Sequence, residues 1–200
     1  MEEKHPGLWL YEEGMAHWDG YDFKIRNQER GQIMIEASAS SGCPIAVAYC
    51  HYRGWNGLER DFEKAVEMFL KIETETNDGD HRAQYLLGEC YQNGRGTDQD
   101  QIKGLEMYTK SAEQGNISST YMLGVCYDNG FGCVQNYIKG FEWCEKSANL
   151  GHRCAMYSVG FYYEHGDGVM KDLNRAKKWF TRSAAQGFEQ AQYRLDRFNQ

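Results

Sequence analysis

Apolar and polar positions alternate along this chain with helical spacing, and the alternation itself recurs at a longer step. Between 155 and 190, Ala155, Ser158, Val159 and Tyr163 fall at i, i+3, i+4 and i+8, one face of a first helix. The segment Gly166-Asp167-Gly168 ends that helix, since glycine takes a positive φ without steric cost. Asp172 then caps a second helix, whose inner face is Leu173, Ala176, Phe180 and Ala184. Arg175, Lys177, Lys178 and Arg182 cover its outer face, and Gly187 closes it.

This helix–turn–helix plan is stamped out at a fixed interval. Gly88, Gly124 and Gly160 lie 36 apart, as do Ala112, Ala148 and Ala184, and Gly115, Gly151 and Gly187. The pairs Gly94/Gly96, Gly130/Gly132 and Gly166/Gly168 keep the same step. Asp100 and Asn136 stand where Asp172 stands, and Gly104 and Gly140 where Ala176 stands. Tyr108, Trp143 and Trp179 are expected to share one aromatic place. Gly160 and its equivalents lie on the first-helix apolar face, so a neighbouring helix is expected to approach closely there. A period of this size marks a stacked repeat protein in which each unit buries its neighbour's apolar stripe.

The units are expected at 83–118, 119–154 and 155–190. A divergent unit at 44–82 keeps Tyr52, Gly57, Asp61, Ala65 and Phe69, with an extended loop around Thr74–Asp80. Residues 1–43 form a degenerate unit: a first helix near 7–13, an insertion at 15–23 holding Trp18, Tyr21 and Phe23, and a second helix over 27–42. The insertion is expected to cap the first unit's apolar edge, a binding arm being the other reading. Residues 191–200 supply a capping helix. In it, Asp196 replaces the close-packing glycine.

Read in order, the unit is A-x-Y-x-L-G-x-x-Y-x-x-G-x-G, then D-x-x-K/R-A/G, an aromatic, S-A and G. It runs from Ala83-Gln84-Tyr85-Leu86-Leu87-Gly88 to Gly115, from Tyr121-Met122-Leu123-Gly124 to Gly151, and from Tyr157-Ser158-Val159-Gly160 to Gly187. This pattern resembles the Sel-1-like repeat family, relatives of the tetratricopeptide repeats. The resemblance implies an all-α, right-handed α/α superhelical solenoid, first helices lining the concave face and second helices the outer face. It also implies an adaptor: a non-catalytic scaffold for proteins or peptides. A secreted bacterial subgroup linked to β-lactam binding offers the alternative, a small-ligand-binding or hydrolytic enzyme. That subgroup bridges each repeat with a cysteine pair. Here Cys90 and Cys126 recur without a recurring partner.

Composition narrows the partner. The net charge is −7 over 200 residues, against the basic stripe that nucleic acid or an anionic membrane requires. No stretch approaches a membrane helix, and the start lacks a secretory pattern. Seven cysteines and no C-x-x-C suggest a reducing, cytoplasmic setting with thiols as small core residues. The six histidines occupy unrelated repeat positions and form no metal or nucleophile–base spacing. No catalytic residue, metal or cofactor is expected.

With Ala83, Leu86, Leu87 and Tyr91 as the inner face of a first helix, the residues beside it line the concave groove. Those are Tyr85, Glu89 and Gln92; Tyr121, Val125 and Asp128; Tyr157, Phe161 and Glu164; with Arg53 and Arg197 at the ends. The tyrosines suit packing, and the variable positions suit specificity. An aromatic and acidic groove fits an extended peptide bearing Lys or Arg and an apolar anchor.

Overall fold

The computed structural model describes residues 5, 7–19, 28–75 and 78–198. Eleven helices and no strand occur among them: α1 (Leu8–Asp19), α2 (Gln28–Ser40), α3 (Pro44–Arg53), α4 (Phe62–Thr74), α5 (His81–Asn93), α6 (Gln101–Glu113), α7 (Ile117–Asn129), α8 (Tyr137–Asn149), α9 (Arg153–His165), α10 (Leu173–Ala185) and α11 (Glu189–Phe198). Odd-numbered helices are first helices, even-numbered ones second helices. Each packs chiefly on the helices before and after it, and α1 also touches α3. That neighbour-only pattern is an α/α solenoid.

One polar residue opens each of the second helices α4, α6, α8 and α10 and ties it to the first. Asp61, Asp100, Asn136 and Asp172 accept the backbone N–H three residues on, at 2.9, 3.0, 3.0 and 2.9 Å. Their own N–H groups donate to the carbonyls of His51, Tyr91, Tyr127 and Tyr163, at 2.9, 2.9, 2.8 and 2.8 Å. The first helices α5, α7 and α9 end on Gly94, Gly130 and Gly166 in the left-handed conformation, at φ of 66°, 72° and 86°.

The close approach expected at the repeated glycine is present. A Cβ on Gly88 would lie 2.6 Å from the Tyr108 ring, and one on Gly160 would lie 2.7 Å from the Phe180 ring. On Gly124 it would lie 2.5 Å from the Cys144 sulfur. The shared place is therefore Tyr108, Cys144 and Phe180, which correct the aromatic register expected from sequence. Trp143 and Trp179 sit one residue earlier and are half-buried. Lys146 lies 4.8 Å over Trp143, and the Arg182 guanidinium lies 4.2 Å over Trp179. Tyr108 is fully buried, and its hydroxyl has no hydrogen-bond partner among the described residues.

A buried serine fastens the far end of the α5/α6, α7/α8 and α9/α10 units, where the α3/α4 unit has Ile72. Ser111, Ser147 and Ser183 donate from the second helix to the carbonyls of His81, Ile117 and Arg153 at the start of the first, at 2.5, 2.9 and 2.8 Å. Ser38 does the same to Gly7 at 2.6 Å.

The N-terminal unit departs from the sequence expectation in one respect. Its first helix does not stop near residue 13 but continues through Met15 to Asp19. Met15 is buried, so the apolar face of the first unit is longer than the repeat spacing implied. The remainder of the expected insertion, with Tyr21 and Phe23, lies outside the described residues. At the other end, α11 covers α10: Ala191 is fully buried and the Phe198 ring lies 6.0 Å from Phe180.

Candidate functional site

Two of the three first-helix tyrosines, Tyr85 and Tyr157, lean over second helices, and Tyr121 leans on the cap of α9. Tyr85 lies 6.0 Å from Tyr108, Tyr121 stacks on His152 at 4.7 Å, and Tyr157 sits between Phe180 at 5.5 Å and Phe188 at 5.2 Å. All three are half-buried, and packing occupies most of each ring. Glu89, Val125 and Phe161 occupy one repeat position in α5, α7 and α9, each half-buried on the flank. The Arg53 guanidinium lies 5.0 Å over Trp55, and Arg197 is exposed on α11.

The position shared by Gln92, Asp128 and Glu164 faces the joint between consecutive units. Gln92 is 7% exposed, and a Cβ on Gly104 would lie 3.3 Å from its side-chain oxygen. Its side chain is spent on packing and offers a ligand almost no surface. Asp128, in α7, accepts the hydroxyl proton of Tyr162 in α9. Burial first, and then the nearby Asp167 carboxylate, push the Asp128 carboxyl up from its ordinary range. Glu164 pairs with Arg194 of α11, with both carboxylate oxygens 3.3 Å from one guanidinium nitrogen.

Three expected residues come together in one cleft of about 390 Å³ between α7, α9 and their turns. Asp128, Tyr157 and Phe161 line it with Tyr137, Ser158 and Asp167. Those last three escaped the sequence reading, as did Arg194. Tyr137 carried a signal, being a large aromatic directly after the cap Asn136. Asp167 carried a weaker one: it lies between two turn glycines, at a position that holds Arg95 and Phe131 in the preceding units. The other expected residues are spread over the flank and do not meet in this cleft.

Reactive machinery is sparse among the described residues. No group of three His, Cys, Asp or Glu is placed to hold a metal ion, and no helix is long and apolar enough to cross a membrane. All seven cysteines are free thiols, with Cys133 and Cys154 half-buried and the rest buried. Burial raises the Cys90 and Cys144 thiols to about 12, which keeps them uncharged near neutrality and poor as nucleophiles.

Stacked helix pairs, a repeating cap and serine fastening, and a varied first-helix flank define an α/α repeat solenoid. The Sel1 repeat model matches at 45–72, 81–116, 117–152 and 155–188, well over half of the sequence, and the chain belongs to that family. Solved structures agree. A protective antigen present in uropathogenic Escherichia coli strains, displaying an SLR fold, is 29% identical over 94% of this chain, with a TM-score of 0.67. This chain spans only 40% of that antigen. A Sel1 repeat protein from Oxalobacter formigenes is 25% identical with a TM-score of 0.70, covering 94% of this chain and 72% of its own. The cysteine rich protein B of Helicobacter pylori is 22% identical with a TM-score of 0.51, covering 66% of this chain and 92% of its own, and shows the fold alone. A search of the curated proteins gives no match. Proteins built of Sel1 repeats are generally protein-interaction scaffolds and typically non-catalytic.

Proposed function

We propose that this chain is a non-catalytic scaffold that holds a segment of a partner protein, of basic and apolar character, along its first-helix flank. The observation that carries this reading is a contrast within the repeat. Positions that pack recur from unit to unit, as with Gly88, Gly124 and Gly160 or Ser111, Ser147 and Ser183. The flank position instead holds Glu89, Val125 and Phe161, each half-exposed and chemically different. Such variation on a rigid frame is what recognition of an unsymmetrical partner requires. The net charge of −7 favours a basic partner.

Asp128→Arg would collide with Gly140 and break the Tyr162 hydrogen bond, so lost binding there could reflect lost folding. Val125→Arg alters the half-buried flank position without removing a hydrogen bond or ion pair. Affinity capture with the wild type and with Lys178→Glu on the outer face should recover the same partner. Val125→Arg should lose it with its circular dichroism and melting unchanged. Undiminished recovery with Val125→Arg would remove the flank from the binding surface.

A further inference from the structure

Two successive joints of this solenoid are built from the same repeat positions but filled differently. In the α9–α11 joint, Arg194 pairs with Glu164 at 3.3 Å and places its guanidinium 5.3 Å from the centre of the Phe161 ring. Thirty-six residues earlier the corresponding residues are Ser158 for Arg194, Asp128 for Glu164 and Tyr121 for Tyr157. The carboxylate and the tyrosine recur. The guanidinium does not. Serine is five side-chain heavy atoms shorter than arginine, and the cleft of about 390 Å³ opens beside it.

The cleft is electrostatically incomplete. Asp128 and Asp167 both line it, and neither forms an ion pair among the described residues. Asp128 receives one proton donor, the Tyr162 hydroxyl, on one of its two oxygens. In the neighbouring joint the residue equivalent to Tyr162 is Phe198, which donates nothing, and there the carboxylate is satisfied by arginine. Tyr137, nearly half-exposed, walls the outer side, and its hydroxyl accepts from Gln135 at 3.0 Å.

We propose that the α7–α9 cleft is a receptor for an arginine side chain of a bound protein segment, which takes the place that Arg194 takes in the next joint. The proposal rests on the scaffold reading and specifies one anchor point of it. A planar guanidinium suits the cleft better than an ammonium, because it can bridge two carboxylates while lying against the exposed Tyr137 ring.

The test is an NMR titration of the isotope-labelled full chain with N-acetyl-arginine amide, and with N-acetyl-citrulline amide as its neutral isostere. Arginine amide should shift the amide signals of Asp128, Ser158 and Asp167, saturating in the millimolar range, and citrulline amide should not. Asp167→Asn should weaken binding roughly tenfold, as expected for removal of one partly desolvated charge. Ser158→Arg, which supplies the guanidinium from within the chain, should abolish the response while the spectrum remains that of a folded solenoid. Equal shifts from citrulline amide, shifts that map elsewhere, no shift at all, or an undiminished response in Ser158→Arg would each overturn the arginine receptor. None of these outcomes touches the partner capture measured with Val125→Arg, so the two readings fail separately.

Discussion

His152 shows how one residue can take two structural duties. It is the N-cap of α9, where its Nδ1 accepts the Ala155 N–H at 3.2 Å, and its ring stacks on Tyr121 at 4.7 Å. Both duties need a neutral ring, because a protonated Nδ1 cannot accept. Burial, reinforced by Arg153, lowers its pKa from 6.5 to about 3. Above pH 6.5 the folded and unfolded states are both neutral at this residue, and its full contribution to stability is present. Below that value the unfolded chain binds a proton that the folded chain refuses, so stability falls as pH drops from 6.5 towards 3. The slope from this residue is at most about 1.4 kcal/mol per pH unit. His152→Asn keeps a capping acceptor without the titration. Thermal melts from neutral to acidic pH should therefore show a shallower decline for His152→Asn than for the wild type, and parallel curves would remove His152 from the acid response. The sequence showed the histidine, but its spacing matched no motif. Its stacking duty comes from Tyr121, which lies on α7, the preceding first helix.

At the scale of the element, the helices were legible because every sign of them is local. Caps, turn glycines and apolar spacing lie within a dozen residues of one another, and α5 to α10 follow from them. The error in the aromatic register has the same origin. Trp143 and Trp179 dominate by size, yet the place that faces the repeated glycine is Tyr108, Cys144 and Phe180, and only the step of 36 counted from Tyr108 identifies it. The serine fastening was visible as part of a recurring S-A pair but had no evident duty. Its partner is a carbonyl 30 residues earlier, on the other helix of the unit. Ser183→Ala leaves the Arg153 carbonyl without that donor in a buried setting, at a cost of about 1 kcal/mol. Denaturant unfolding should show a lower midpoint with an unchanged slope, whereas Thr181→Ala, whose hydroxyl bonds only within its own exposed helix turn, should leave it near wild type. An unmoved midpoint for Ser183→Ala would mean that the fastening contributes nothing net.

At the scale of the whole molecule, stability is passed between neighbours, because each unit's apolar stripe is covered by the next. The last described helix makes this testable. Without residues 189–200, α10 loses the Phe198 contact to Phe180, and α9 loses the pairing of Glu164 with Arg194. A chain ending at Phe188 should melt several degrees lower. Hydrogen exchange should quicken in α9 and α10 while α5 to α8 keep their protection. Uniform loss of protection would instead mark the chain as one cooperative block. The candidate surface divides along the same line between local and distant information. The sequence alone determined the helix pair, its interval, its caps and the position of the first-helix flank, since all of these repeat and repetition needs no partner to be seen. Tertiary structure decided which flank residues are free. It turned Gln92 into a joint, gave Glu164 to Arg194, and opened a cleft where, among the described residues, Asp128 and Asp167 have no cation. Those outcomes depend on side chains more than 30 residues apart meeting across a joint, and no local pattern records such a meeting.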